Sequence, residues 1–564
     1  MPAMIEFVHP SLILFLGAAL MPWLKGTAAR SALLLVPALS LVLIATLSAG
    51  EYGQFEFLDM QLTLGRVDAL SMVFAWVFGI ILLIGAIYAL HVDDWVQHSA
   101  ALGYAGAALG AVLAGDLLTL YVFWELMVIT SVWLIWRRSS GVSYRAGMRY
   151  LVVHAIGGVL LLAGVIIYYQ TTGSLAFDQI EPIGAAFWLI LTAFLINAAV
   201  PPLHAWLADA YPEATITGAI FLSALTTKTA VYTLMRGYPG VELLMWMGAI
   251  MTLYGVIYAV LANDIRRILA YHIISQVGYM VCGVGMGTLM AMNGAAAHAF
   301  THILYKALLF MGAGAVIYMT GKSRLTDLGG LYRYMPWTFV FYMVGALSIS
   351  GFPLFSGFVS KTMITEAAAM DYRTIIFLML LMAPAGTFLS IGLKLAWFTF
   401  LGRDSGLRPK EAPPNMLIAM GIAAFLCFAI GVYPAPLYAL LPGPVDYNAY
   451  NITLILKELQ LLLFTGLGFF LLLRFVGGKN YITLDTDWIY RGGGKRVVLV
   501  LRDGIVSGNH WIREAAMRAM QGRARGIRRR HGRDGKLARS WPTGSMAMWT
   551  AVLLASLLLF GIRN

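Results

Sequence analysis

Apolar runs of about twenty residues recur along this chain, and each is long enough to cross the roughly 30 Å hydrocarbon core of a bilayer as an α-helix. There are about sixteen, near residues 11–24, 31–49, 68–91, 97–114, 116–136, 146–169, 184–203, 214–236, 243–262, 268–287, 290–318, 336–358, 374–401, 415–434, 453–475 and 545–562. Charged residues make up 12% of the chain and hydrophobic ones 60%, against about 25% charged in a soluble domain. The runs are continuous rather than alternating, which argues against a barrel of strands. The expected fold class is an all-α polytopic membrane protein. No basic stretch precedes the first run and no small-residue cleavage site follows it, so Leu12 to Leu24 is expected to be a retained span.

Loop charge tests the count. Lys25 and Arg30 follow span 1; Arg137, Arg138, Arg145 and Arg149 follow span 5; Arg266 and Arg267 follow span 9. Lys322, Arg324 and Arg333 follow span 11, and Arg403, Arg408 and Lys410 follow span 13. All come after odd-numbered spans, so all fall on one side, which the positive-inside rule makes cytoplasmic. Merging any two middle spans would break this agreement. Residues 478–544 hold fifteen Lys/Arg against five acids and supply +10 of the net charge of +12. This basic segment follows span 15 and is expected on the same cytoplasmic side. Within it Leu501, Ile505, Ile512, Ala516 and Met520 fall near helical spacing, with Arg502, Arg513 and Arg518 off that face. It reads either as an interfacial amphipathic helix or as a solvated basic loop beside anionic lipid, and Arg523 to Arg539 reads as loop. Nucleic acid is not an expected partner for a segment lying between two spans.

The composition also limits the chemistry. Cys282 and Cys427 are the only cysteines and both lie in apolar runs; an iron–sulfur cluster needs about four. Neither a dinucleotide fingerprint nor a P-loop is present. No cofactor and no metal site is expected, and any redox chemistry would belong to partner subunits, so whether the chain is part of an enzyme stays open.

Ionisable residues inside the apolar runs are the functional signal, because each costs roughly 2.5–3.5 kcal/mol at a helix centre. Glu125 sits in the middle of span 5 (FWELM), and Lys228 near the middle of span 8. His298, His302 and Lys306 are spaced i, i+4, i+8 and share one helix face. Lys361 follows a run broken by GFPLFSGF; the plainer reading is a lysine that snorkels to the interface. Lys394 and His272 are further candidates for the same path, with a polar contact and a packing histidine as the plainer readings. Asn197 reads either as a hydrated group or as an interhelical hydrogen-bonding residue. His204, Asp209 and Glu213 flank the end of span 7, where they either gate a path or fix the loop.

An internal repeat is visible. Gly218 to Ser223 followed by Lys228, Ala230, Tyr232 and Thr233 resembles Gly386 to Ser390 followed by Lys394, Ala396, Phe398 and Thr399, with Pro212 and Pro384 upstream. Spans 8 and 13 then look like copies five spans apart, and an odd repeat unit inverts in the membrane. Pro201-Pro202 ends span 7 and Gly351 to Phe358 interrupts span 12, so broken helices occur at matched places, the expected pointer to an ion path. The chain divides into residues 1–96 (spans 1–3), 97–262 (first repeat, spans 4–8, plus span 9), 263–402 (second repeat region, spans 10–13), 403–476 (spans 14–15), 477–544 (basic segment) and 545–564 (last span).

These motifs, together with PPLHAWLADAYPEA (Pro201 to Ala214) and DIRRILAYHIISQVGYM (Asp264 to Met280), resemble the antiporter-like subunits of respiratory complex I and the large subunits of Mrp-type multisubunit cation/proton antiporters. The likeness covers roughly spans 3 to 13 and is greatest to the D-type Mrp proteins. It implies two inverted five-helix units, each with a half channel, joined by a hydrated polar axis. It assigns Glu125, Lys228, His298, His302, Lys306 and Lys361 to that axis. One position departs: the family's lysine on span 7 is Asn197 here, so either Lys228 partners Glu125 or Glu125 carries its proton unpaired. The implied function is proton translocation within a multisubunit cation/proton antiporter of a cell inner (plasma) membrane, with other membrane subunits as partners and sodium or potassium as the open second ion. The rival readings are the proton-pumping membrane subunit of complex I or of a membrane-bound hydrogenase, and a proton-conducting partner in an inorganic-carbon uptake complex.

Overall fold

The computed structural model describes residues 8–477, 485–486, 488, 493–533, 535, 537, 539 and 542–561. Each of the sixteen apolar stretches is helical. They are α1 (Pro10–Leu20), α2 (Gly26–Thr46), α3 (Ala69–Ala89), α4 (Trp95–Leu113), α5 (Leu117–Trp136), α6 (Gly141–Thr172) and α7 (Gly184–Asn197), the last continued beyond a break by the short α8 (Ala205–Ala210). Next come α9 (Gly218–Ala224) and α10 (Thr226–Gly237), two halves of one stretch, then α11 (Glu242–Leu261), α12 (Ile265–Met286) and α13 (Leu289–Thr320). The stretch at 336–358 is α14 (Pro336–Ser350), a break, and α15 (Ser356–Met370), a buried helix that continues twelve residues beyond the apolar run. The remainder are α16 (Thr374–Thr387), α17 (Pro414–Val432), α18 (Ala435–Tyr438), α19 (Ile452–Leu471) and α20 (Leu473–Val476). Eleven of the described helices are long and apolar enough to cross a membrane unaided.

Polar residues set the helix starts. Asp68, Asp94, Asp116 and Asp264 each accept hydrogen bonds from first-turn amides of α3, α4, α5 and α12, and Ser140 forms a capping box at α6. Such caps satisfy amides that the helix itself leaves orphaned.

Contacts between loops agree with the alternation of the spans. Loops after odd-numbered spans meet one another: Arg137–Asp94 at 2.8 Å, Arg138–Glu213 at 2.8 Å, and Arg266 to the Ala214 carbonyl at 2.8 Å. A bridge also joins Asp264 and Arg324. Loops after even-numbered spans meet on the other side, through Arg66–Asp178 at 2.7 Å and Arg373–Glu242 at 3.5 Å.

One element has no forerunner in the sequence reading. The polar break between α2 and α3 forms a hairpin of β1 (Gly50–Phe57) and β2 (Met60–Val67), turning at Leu58 and Asp59, both with positive φ (49° and 61°). It docks on the α4–α5 loop through Thr63 N–H to Asp116 (2.8 Å) and Gly115 N–H to the Thr63 carbonyl (3.0 Å).

The helix pair α11–α12 packs backbone to backbone. A Cβ on Gly248 would lie 2.3 Å from the Cys282 nitrogen, and one on Gly255 2.5 Å from the Ser275 nitrogen. From the other side, a Cβ on Gly285 would lie 2.0 Å from the Met245 nitrogen. Small residues spaced along both helices permit this approach, as is usual in membranes. Next to the pair lies α13, whose residues are buried almost without exception from Ala291 to Val316.

Residues from Trp488 onward form a separate compact unit. It contains α21 (Lys495–His531) and α22 (Thr543–Gly561). Lys495–His531 of the basic segment is therefore a 37-residue helix, and the expectation of loop from Arg523 onward is corrected: helix continues to His531. Ile505, Ile512, Ala516 and Met520 do share one face, but at 100° per residue Arg502 and Arg513 fall on its flank and only Arg518 lies opposite. The Leu501 side chain, Lys479 and residues 478–484 lie outside the described residues.

Candidate functional site: a buried polar row

The broken stretch α14–α15 builds one end of the row. Gly351 (φ 78°) ends α14, Pro353 follows, and Leu354 (φ 75°) turns the chain into α15. The break leaves terminal carbonyls of α14 without helix partners. Lys361 takes one of them, its Nζ donating to the Ile349 carbonyl at 2.6 Å and lying 5.3 Å from the Tyr279 ring centroid. A cation is favoured at this negative end of the helix dipole. Lys361 is 3% exposed, so it does not snorkel.

A kink builds the other end. At Leu225 (φ −98°, ψ −66°) the helix ladder is interrupted between α9 and α10. Lys228 folds back over the interruption and donates to the Ser223 carbonyl (2.7 Å) and to Thr227 Oγ1 (3.1 Å). At the matching place in the second repeat, Phe388–Leu395 is a π-helix. Its Lys394 donates to the carbonyls of Val260 and Ala262, the latter at 2.9 Å, and so caps the end of α11. Both copies are thus distorted where the sequences match, but Lys394 serves a helix terminus and stands apart from the row.

Between the ends lies α13. His298, His302 and Lys306 are each 0% exposed. His302 lies within electrostatic reach of Lys228, Lys306, His298 and Lys361, and His272 of α12 within reach of Lys306 and Lys361. The His298 and His302 ring centroids are 6.1 Å apart. Ser360 ties α13 to α15, with its Oγ 3.1 Å from His298 Nδ1 and 2.8 Å from Thr301 Oγ1. Tyr305 OH lies 3.4 Å from both His298 Nε2 and Gln276 Oε1. His272 Nε2 meets Ser390 Oγ at 2.5 Å. Among the described residues, Thr229 Oγ1, His272 Nδ1, Gln276 Nε2, both nitrogens of His302 and Lys306 Nζ are buried without a protein hydrogen-bond partner. Buried polar groups ordinarily have partners, in protein or bound water, so a cluster of unsatisfied ones sets this stretch apart from the apolar core around it.

Glu125 stands elsewhere. Its Oε1 is buried without a partner against α6, where a Cβ on Gly158 would lie 1.8 Å away. Asn197 Oδ1, likewise unpartnered, lies beside the adjacent Gly157. Lys228 forms no salt bridge with Glu125, since its amine is engaged on its own helix. Of the two alternatives that follow from Asn197, the structure shows the unpaired Glu125.

The loop candidates are tied down. Asp209 takes a two-pronged bond from Arg149 (2.6 and 2.9 Å), and Glu213 pairs with Arg138. His204 reaches a residue that sequence reasoning did not single out: Asp485 accepts from His204 (3.1 Å), Tyr254 (2.5 Å) and Tyr271 (2.6 Å). Burial raises the Asp485 carboxyl, but these three donors outweigh it and hold the group well below the usual carboxylate range. A depressed folded-state pKa means the contact contributes its full stability above the unfolded value of 3.8 and loses it progressively as pH falls from there toward the lower folded value. Asp485→Asn is therefore expected to speed proteolysis of the neighbouring segment at neutral pH, whereas wild-type cleavage stays flat from neutral pH down to about 4 and rises only below it. Limited proteolysis across pH checks both, and equal cleavage of the two proteins at pH 7 would refute it.

Other polar residues in the row were missed. Ser360, Gln276 and Tyr305 carry no charge and look ordinary in an apolar helix. Glu458 of α19, 3% exposed, carries the same signal as Glu125 but sits beside Lys457 near a helix start, where charge is commonplace.

Comparison with known proteins agrees with this architecture. Residues 114–389 match the family described as NADH:quinone oxidoreductase/Mrp antiporter, TM. The chain is 34% identical over 316 residues to the D-type subunit of the Na(+)/H(+) antiporter of Alkalihalophilus pseudofirmus, covering 52% of this chain and 64% of that protein. It therefore spans just under two thirds of that relative's length. It is 30% identical over 354 residues to the D-type subunit of the Na(+)/H(+) antiporter of Bacillus subtilis, covering 59% of this chain and 68% of that one. Among solved structures, a chain of the membrane-bound sulfane sulfur reductase (MBS), an archaeal respiratory membrane complex, aligns over 98% of this chain and 99% of its own, with a TM-score of 0.72 and 25% identity. The chain is a multi-pass membrane protein and belongs to the NADH:quinone oxidoreductase/Mrp antiporter family of transmembrane proteins.

Proposed function

We propose that this chain translocates protons, as one subunit of a multisubunit cation/proton antiporter. The observation that carries the reading is the row Lys228, Lys306, His302, His298, Lys361, contributed by three helices and buried throughout. Lysine and histidine are side chains that can hold and release a proton. Like charges this close repel, so the row holds only part of its possible protons, and one added at either end drives another along. Tyr305, Ser360 and Gln276 supply hydroxyl and amide links between the titratable groups. The two lysines at the ends each rest on carbonyls freed by a helix distortion, which holds them in place whether or not they carry a proton. The first half works without a Glu–Lys pair, because Asn197 replaces the lysine.

The excess of lysine and arginine in the loops after odd-numbered spans supports a cytoplasmic side for that face by the positive-inside rule, in a plasma membrane, with further membrane subunits alongside. The test is proton flux in liposomes holding the purified intact complex, followed with a pH-sensitive dye. Lys361→Ala is expected to reduce flux to the leak of protein-free liposomes; flux at the wild-type rate would sink the reading.

One observation favours a second reading. The match to the MBS chain extends over 98% of this chain, whereas a chain of the solved Mrp complex from Dietzia sp. DQ12-45-1b aligns over 79% of it. A proton-moving subunit of a membrane-bound redox complex fits that coverage. Redox subunits carrying iron–sulfur clusters would then co-purify in mild detergent.

A further inference from the structure

The row does not end at Lys361. The first two turns of α19 carry Lys457 and Glu458. On this helix Leu456, Leu463 and Phe464 are exposed by 53%, 71% and 71%, yet Glu458 is 3% exposed and faces inward. Lys361 of α15 and Tyr279 of α12 lie within its electrostatic reach, as do Glu366 of α15 and Lys457 of its own helix. Tyr447, in the loop before α19, lies near both Glu458 and Glu366. Phe358 and Val359 of α15 pack in one cluster with Ile455 of α19, which holds the two helices together at this level. Five residues beyond Lys361, Glu366 accepts from Lys457 Nζ at 2.5 Å.

Exposure rises along this line. Lys361 and Glu458 are 3% exposed, while the Glu366 and Lys457 side chains are 22% and 26% exposed. The line also has a direction. Met370 ends α15 on the side where Arg373 meets Glu242, which is the side opposite the basic loops, and α19 begins on that side too. A plain ion pair does not account for Glu458. Lys457 is already engaged by Glu366, and Glu458 makes no hydrogen bond to a described residue.

Resting on the reading of Lys361 as the end of a proton row, we infer that Glu458 and then Glu366 form the exit from Lys361 to the membrane face opposite the basic loops. A proton leaves the Lys361 ammonium for the Glu458 carboxylate, giving a neutral amine and a carboxylic acid. It then passes to the Glu366 carboxylate, restoring Glu458, and from Glu366 to bulk water. Lys457 donates to Glu366 and positions it at the mouth.

The experiment compares Glu458→Gln, Glu366→Gln and Lys361→Ala in the intact reconstituted complex. Glu458→Gln should cut flux by at least about tenfold, below what a positioned proton carrier ordinarily contributes. Glu366→Gln, at the partly exposed mouth, should keep the complex assembled and shift the pH profile of flux when pH is varied on the face opposite the basic loops. It should leave the profile unchanged when pH is varied on the basic face, a split that a packing role would not produce. Wild-type flux in Glu458→Gln while Lys361→Ala is inactive would overturn the exit and leave the row standing. Wild-type flux in Lys361→Ala would instead remove the reading beneath it. Should Glu458→Gln fail to assemble, Glu366→Gln decides alone: an unshifted profile overturns the proposal.

Discussion

Replacing Lys228 by alanine abolishes proton flux through the reconstituted complex while the protein assembles and melts as the wild type does. The two halves of this expectation come from opposite sides of one balance. Keeping a lysine inside the membrane costs roughly 2.5–3.5 kcal/mol. Its bonds to the Ser223 carbonyl and Thr227 Oγ1 return about 1.5–3 kcal/mol each at most for a charged donor. Removing the side chain removes both, and the middles of the two ranges leave a net change of about 1–2 kcal/mol. Function has no such compensation, because alanine leaves a gap between the kink at Leu225 and His302. Lys228→Arg separates the possible causes. Arginine keeps the positive charge but does not give up its proton, so it too should be inactive if Lys228 carries protons, and active if only its charge matters. Dye-monitored flux together with a melting curve of the complex reads all of this. Flux in Lys228→Ala at the wild-type rate would contradict the row.

The largest structural effect is expected at α11–α12. Gly248→Leu would place side-chain atoms where the Cys282 nitrogen and Gly278 carbonyl oxygen stand, since even a Cβ would lie 2.3 and 2.6 Å from them. Those obstacles are backbone and cannot rotate aside, so the helices must separate. Overpacking ordinarily costs about 1–3 kcal/mol when side chains can adjust; here they cannot, and a cost at or beyond the top of that range is expected. Because α12 carries His272, Gln276 and Tyr279, separation would also open the row. The chain should be lost from purified membranes, as read by its amount in the complex on a native gel. Wild-type amounts with normal flux would show that the close approach is dispensable.

Charge made both fold and site readable from the sequence, and the absence of charge hid the rest. Lysine, histidine and glutamate are rare in apolar helices, so Lys228, His298, His302, Lys306 and Lys361 stood out individually, and the i, i+4, i+8 spacing put three on one face. The basic loops fixed the alternation of spans, with which the ion pairs between loops agree. Spacing cannot show partners from distant segments: Asp485 is 281 residues from His204. It also cannot rank hydroxyls and amides, which cost little in any helix, so Ser360 and Gln276 passed unnoticed. Gly351 and Pro353 announced the break in α14–α15, whereas the kink at Leu225 has neither glycine nor proline to announce it. The hairpin at Gly50–Val67 was hidden because a two-residue turn at Leu58-Asp59 lacks the usual Asn-Gly signal. The length of α21 was misjudged because a dense arginine run reads as solvated loop, although arginine is a good helix former.

The unpaired carboxyl of Glu125 fills the space that any side chain at position 158 would need. A methyl group at that position would turn the half-buried Glu125 carboxyl away from α6, because the obstacle is the tip of a flexible side chain and not backbone. Gly158→Ala would thereby reorient the acid without deleting it.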